Sequence, residues 1–455
     1  MATWLTRTPS STGNRRTFTF STWIKRGDMN DNRCLFSQCA PSTFNNGTHF
    51  RMRFGTTGNI QIAAYGDGWL TTNRVFRDPA AFYHIVLAVD TTNSTADQRA
   101  RLYINGVEET SFATRNNPSL NFDTGVNVSG SPFLIGADDS SSGAPSARIM
   151  SNLAHTYLID GLAIPASSFG ETDSTSGIWK PLLSPSLTYG TNGFKMEYAP
   201  ASPLNDTSGQ TNNFTLGGGT LTSPKDNPQN NYCKMNPLDS RYSAPVLTNC
   251  NTTITTSAAT WSTATQWLES GLWYWEVNPT GTLGGGECLG ILDLVTTGAS
   301  RNMYNGSGHL GAVVRSGGNV YINSSDTGNI SPSGDLWASG DTIGIYMDLN
   351  ALKIYFAKNG TILNSGTGKT LTTTENSATF AYTPVWGSTN TSASTANFNF
   401  GEGYLGTTAL TGTTFTDSNS EGKFKYSPNN SGGSSFDGSA KNFLAICTSN
   451  MATDS

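Results

Sequence analysis

Charge is what this sequence has least of. Asp, Glu, Lys and Arg make up 13% of its 455 residues, against roughly 25% in an ordinary soluble domain. The net charge is −5 and no cluster of Lys and Arg interrupts it. Nucleic acid is therefore excluded as a partner, because binding phosphates needs a basic footprint. Long apolar runs are also missing. Nothing approaches the ~18 consecutive apolar residues of a membrane-spanning helix, so no membrane insertion is expected. Residues 1–16 (MATWLTRTPSSTGNRR) have no apolar centre, so synthesis in a cytoplasm without a secretory signal is expected. Cysteine is sparse, with six residues and no CxxC. Cys34 and Cys39 have the odd spacing that sends them to opposite faces of a strand, and they read as small buried hydrophobes rather than a disulfide. The four histidines (His49, His84, His155, His309) are scattered and no GxSxG elbow is present, which removes the basis for a nucleophilic triad. A sustained 3.6-residue apolar period is absent as well, and with it any major helix.

What replaces charge is Ser, Thr, Asn and 49 glycines, the residues of turns and of polar strand faces. Aromatic residues at 11% supply enough burial to exclude disorder. The N-terminal part reads as short strands at 17–25, 34–38, 50–54, 60–65, 81–90, 99–104, 133–136 and 153–161, with turn residues between them. That spacing predicts a sandwich. Asn105-Gly106 in LYINGVEE and Asn359-Gly360 in YFAKNGTIL each predict a two-residue hairpin turn. In GLWYWEV (271–277), alternation puts Trp273 and Trp275 on one face.

Three enzymatic patterns fail on inspection. Gly401-Glu402-Gly403-Tyr404-Leu405-Gly406 spells GxGxxG, but no helix start follows to hold a pyrophosphate. Gly368-Lys369-Thr370 ends like a phosphate loop, yet Leu363 stands where its first glycine belongs. A glycosidase needs two carboxylates facing one cleft, and no strand carries Glu or Asp at alternate positions in the required run. Glu108 and Glu109 are adjacent, and Glu276 is alone in its strand.

Three resemblances follow from ordered motifs. TFTFSTWIKR, HFRMRFG, NIQIAAY, FYHIVLAVD, RARLYINGVEE and PFLIGA, over residues 14–165, resemble a laminin-G/concanavalin A-like jelly roll. GLWYWEV, GDTIGIYMDLNALKIYFAKNGTIL, YTPVWG and ANFNFG, over 271–401, resemble a SPRY domain, a sandwich used for binding. The succession LIDGLAIPASSFGETDSTSGIWKP, YGTNGFKMEY, NDTSGQTNNFT, NYCKMNPLDSR and FLAICTSN then resembles virion proteins of tailed, marine-type bacteriophages. The expected architecture is all-β: a laminin-G/concanavalin A-like sandwich at 1–200, an irregular connector at 201–240, a SPRY-like sandwich at 241–406 and a C-terminal tail at 407–455. In that tail, 443–446 is a compact apolar stretch that packs on the second sandwich or on another subunit.

The resemblance implies a structural protein on the virion surface, fibre-like or a capsid decoration. It would assemble with other capsid or tail proteins, as a homo-oligomer, and bind host-surface glycans through its loops. Its alternatives are a purely architectural component and, third, a glycan-degrading enzyme; no catalytic residue is expected. Sugar binding would use an aromatic ring with Asn or Asp beside it. Tyr65, Asp67 and Trp69, in an expected glycine-opened loop, fit that chemistry, as do Tyr304 and Trp337 in the loop-rich span 296–340. No cofactor is implied beyond calcium, for which Asp138-Asp139 after PFLIGA supply the hard oxygen ligands.

Overall fold

The computed structural model describes residues 3–451 except 30–31, 40–47, 65, 139–144, 282, 284, 295, 297–303, 305, 307, 332–334, 372–379, 390–392 and 430–435. It is 47% strand and 3% helix, an all-β chain as the composition requires. Two compact units divide it, Met1–Ser223 with Asn227–Gln229, and Pro224–Asp226 with Asn230–Ser455.

The first unit is a sandwich of an eight-stranded and a six-stranded sheet. Strand Thr17–Arg26 lies inside the six-stranded sheet, between Ser151–Asp160 and Tyr83–Asp90. Alternation along TFTFSTWIKR sends Phe18, Phe20 and Ile24 into the core between the sheets. Facing them across the core are Phe36, Phe50, Met52 and Ile62 of the other sheet. The opposite face of the six-stranded sheet is also covered. Val86, Ala88, Tyr103, Tyr157 and Ile159 pack there under Ala166, Phe169 and Tyr189, so several strands are buried on both faces. Asn105 and Gly106 adopt φ of 49° and 84° between strands Ala100–Ile104 and Val107–Glu108. Positive φ at both central residues is what the expected hairpin turn demands.

The second unit pairs a seven-stranded sheet with a nine-stranded one. In strand Leu272–Gly281, Trp273, Trp275 and Val277 enter the inter-sheet core, as alternation predicts. Tyr274 and Glu276 point the other way, onto the outer face. Asn359 and Gly360, with φ of 49° and 81°, close the hairpin between Lys353–Lys358 and Thr361–Ile362.

The segments read as connector and tail are built into the two sandwiches. Strand Thr215–Gly218 pairs with Trp4–Arg7 in the first. Met235–Tyr242 pairs with Thr260–Ala264 in the second. The C-terminal residues Phe424, Phe436, Phe443, Ala445 and Cys447 pack on Tyr274, Tyr346 and Tyr355, and Leu444–Ala445 adds a short parallel pairing to Leu272–Gly281. The apolar stretch 443–446 thus packs on its own sandwich. All six cysteines are buried, and no helix of the described residues is long and apolar enough to cross a membrane.

Candidate functional site

Trp69 is not a binding platform. It lies not in a loop but in the strand Asp67–Val75, whose first residue pairs with Ala64. The register slips between Ile62, opposite Leu70, and Ala63, opposite Gly68, so Trp69 is the extra residue of a bulge. A bulge lets two neighbouring side chains turn the same way, and Trp69 and Leu70 both enter the core. The indole is 3% exposed and meets Phe50 and Phe122 edge-on, with centroids 5.6 and 5.9 Å away. Asp67 is exposed at the turn, and Tyr65 lies outside the described residues.

Trp337 is corrected in the same way. It is 2% exposed and sits with Leu336 in the core of the second sandwich, where the Leu336 amide donates to the Ser316 carbonyl. Loop-rich sequence around it concealed a plug for the end of the core.

Asp138 is buried and its two oxygens are already engaged. Oδ1 meets His49 Nε2 at 3.0 Å and Oδ2 meets Arg51 Nη1 at 3.2 Å. A carboxylate held by an arginine and a histidine is a poor cation ligand, which weighs against the calcium expectation; Asp139 lies outside the described residues. Among the described residues no group of three His, Cys, Asp or Glu side chains could hold a metal ion.

Tyr304 is the sequence candidate that the structure places in company. It lies half-buried on the outer face of the seven-stranded sheet, above a cluster of Trp261, Cys288, Leu292, Val313 and Val385. Arg315, from strand Gly311–Arg315, lays its guanidinium 4.1 Å from the Tyr304 ring centroid. Tyr321, from strand Asn319–Ile322, stands 5.2 Å from Tyr304 ring to ring. The Arg315 fork is anchored by Nη2 donating to the Gly285 carbonyl at 2.6 Å. Asn319 shares a face with Tyr321, and its amide donates to Asp326 Oδ2 at 2.8 Å and accepts from Asn329 Nδ2 at 3.2 Å. The arrangement is a ledge of two tyrosines and an arginine bordered by amides and a carboxylate. Neither Arg315 nor Tyr321 stood out in the sequence. Strand alternation could have found them: Ala312, Val314, Val320 and Ile322 enter the core, which leaves Val313, Arg315, Asn319 and Tyr321 for the outer face.

The histidine most deeply built into the fold is His84. It stacks on Trp23 at 4.6 Å and lies near Trp179 and Phe169. Burial, with a smaller repulsion from His155, pushes its pKa down to about 3. It is a structural group with both ring nitrogens in hydrogen bonds.

Two β-sandwich units therefore make up the described chain. Residues 3–149 match the family model of the concanavalin A-like lectin/glucanases superfamily, and residues 272–403 match that of the SPRY domain. Among solved structures, the SPRY domain of human HERC1 is 18% identical, with 36% of this chain and 96% of that one covered at a TM-score of 0.30. The TRIM65 PSpry domain is 15% identical, covering 37% and 91%, with a TM-score of 0.27. The native heptameric SAP-like pentraxin from Limulus polyphemus is 14% identical, covering 43% and 88%, with a TM-score of 0.30. No curated protein matches the sequence.

Proposed function

We propose that this chain is a non-enzymatic binding protein on the exterior of a tailed-phage particle, fibre-like or a decoration, that engages host-surface glycans. The observation that carries the binding reading is the Tyr304–Arg315–Tyr321 ledge, half-exposed on a rigid sheet beside Asn319, Asp326 and Asn329. A pyranose offers an apolar C–H face to a tyrosine ring and hydroxyls to arginine, amide and carboxylate groups. The lectin-type and SPRY domains agree with carbohydrate or protein binding, and the virion placement rests on the order of motifs along the sequence. Weak contacts of this kind gain strength from many copies on one particle.

The buried carboxylates support a binding role over hydrolysis. Glu276 is engaged by donors of the fold, Asp138 by His49 and Arg51, and Asp226 and Glu402 by Lys234. Each of these carboxylates is committed to donors of the fold.

The test has two arms. Mass spectrometry of gradient-purified particles should find the protein in stoichiometric amount; its absence would end the virion reading. Labelled protein, presented multivalently, should bind lipopolysaccharide or capsular polysaccharide extracted from the host, and Arg315→Ala with Tyr321→Ala should abolish that binding. Undiminished binding by the double variant would remove the ledge from the mechanism, and release of reducing ends would point to an enzyme.

A further inference from the structure

Among the described residues, one flank of the second sandwich is open at both sheets. Met235–Tyr242 is the edge of the seven-stranded sheet, and Val246–Thr248, a few residues on, is the edge of the other. Three large apolar side chains are exposed along it: Leu238 at 56%, Tyr242 at 47% and Val246 at 62%. An unpaired edge with apolar side chains is a template for another strand. Here it is trimmed to a short window. Pro237 and the register shift between Met235 and Ser240 interrupt the ladder, and the Leu238 amide is taken by Asn236 Oδ1 at 2.9 Å. The carbonyls of Asp239 and Arg241 face inward, each accepting a hydroxyl at 3.0 Å, from Ser262 and Thr260. Alternation then turns the backbone of Ser240 to the open side.

The window reads Leu238-Asp239-Ser240-Arg241-Tyr242, and it is complementary to itself. If two such strands run antiparallel about a two-fold axis at Ser240, the two Ser240 residues exchange backbone hydrogen bonds. Asp239 then faces Arg241 of the second copy, and the matched stretch ends at Tyr242, whose φ of 72° leaves the extended region. Asp239 and Arg241 take part in no ion pair with each other; Asp239 accepts from Thr263 and Arg241 lies 4.7 Å over the Trp261 ring. Both charges are held at the surface, pre-positioned and on one face. A two-fold interface requires such self-matching of one patch.

We propose that this flank is a homodimer interface, in which the Met235–Tyr242 edges of two copies pair antiparallel about Ser240 and join their seven-stranded sheets into one. The inference is independent of the glycan reading, since it concerns a different edge and a different partner.

Charge reversal tests it through its symmetry. In Arg241→Asp two acidic residues face two acidic residues, and in Asp239→Arg two basic face two basic. Opposed like charges should weaken self-association of each variant about tenfold or more. A mixture of the two restores opposite charges at both contacts, so the mixed dimer should form with about wild-type affinity. Sedimentation velocity of the full chain, over a concentration series, reads all three, with melting temperatures to show that each variant is folded. Leu238→Lys supplies a further variant that leaves both charges in place and should likewise dissociate the dimer. A wild-type chain that stays monomeric throughout the series overturns the proposal. So does a dimer indifferent to the reversals, or a mixture no tighter than its components.

Discussion

Trp179 donates its indole N–H to His84 Nδ1 at 3.0 Å, and that one contact fixes the state of the histidine. With Nδ1 accepting, the proton of the neutral ring sits on Nε2, where it is donated to Ser21 Oγ at 2.9 Å. A second proton has no place to go without breaking the indole contact. The Trp179 ring is itself seated against Gly106, where an added Cβ would lie 2.6 Å from it. The hairpin turn, the added strand Trp179–Pro181 and the buried imidazole are thereby locked together.

Acid should weaken the first sandwich through this histidine. Its folded pKa is pushed down to about 3 from an ordinary 6.5, first by burial. The unfolded chain binds a proton in that window and the folded chain does not. The stabilisation is therefore complete above pH 6.5 and is lost as pH falls toward 3, at up to roughly 1.4 kcal/mol per pH unit. Urea midpoints at pH 7 and pH 5 should differ for the wild type. His84→Gln should be less stable at pH 7 but flatter with pH, the remaining slope including that of His155, whose pKa is lowered by burial too. An unchanged slope in His84→Gln would refute the assignment.

Glu276 should prove to be the fastener of the C-terminal segment. Its Oε1 accepts from the Tyr426 amide at 2.7 Å and the Tyr274 hydroxyl at 3.1 Å; Oε2 accepts from Asn399 Nδ2 at 2.9 Å and the Lys425 amide at 3.0 Å. Burial raises its pKa while these four bonds pull it down. Glu276→Ala strands the donors and should cost about 3 kcal/mol or more. Hydrogen exchange should then quicken in 415–429 and 436–447 before it quickens in the inter-sheet core. Uniform exchange across the unit would show that the segment has no separate stability.

Much of the fold was legible because it is written in period-two patterns and turn residues, which act locally. Both Asn-Gly hairpins, and the inward face of GLWYWEV, need only neighbours in the sequence. The errors arose where a residue's role is set at a distance. Trp69 looked like a loop aromatic because glycines flank it, and only the bulge against Ile62 and Ala63 turns it inward. Glu276 stood alone in its strand, and three of its four donors come from residues more than a hundred positions away. The Tyr304–Arg315–Tyr321 ledge combines three elements, of which only Tyr304 was conspicuous. The Asn-, Gly- and Pro-rich segment at 201–240 read as an irregular connector and the Gly-, Ser- and Thr-rich one at 407–455 as a tail, but Phe214, Tyr232, Phe424 and Phe436 within them pack into the two sandwiches.

Lys234 should be among the most costly residues to remove. It is buried between Asp226, 3.3 Å away, and Glu402, with side chains all 2% exposed or less. Burial alone would lower its pKa, but the two carboxylates outweigh it and the pKa is raised. Lys234→Met leaves two acids facing each other out of water, at a cost of about 3–5 kcal/mol. Glu402→Gln keeps one ion pair and should cost clearly less. Chemical denaturation ranks them, and equal losses would mean that shape rather than charge dominates the site.

The tryptophans and the ledge should separate stability from binding. Trp69→Ala empties a core position between Phe50 and Phe122 and should destabilise the first sandwich by about 3–5 kcal/mol. Trp337→Ala should do the same in the second. Neither ring reaches solvent, so the molecules that remain folded should bind a glycan as the wild type does. Tyr321→Ala should behave inversely, because its ring is half-exposed and packs only at the margin of the outer cluster. It should leave the melting temperature nearly unchanged and reduce binding about tenfold, a loss of ~1.4 kcal/mol. Arg315→Lys keeps the charge but not the planar fork that stacks on Tyr304 and holds the Gly285 carbonyl, and it should also weaken binding. Titrating each variant against the same immobilised polysaccharide, corrected for folded fraction, gives the comparison. Binding lost in Trp69→Ala and kept in Trp337→Ala and Tyr321→Ala would return the site to the first sandwich, near Asp67.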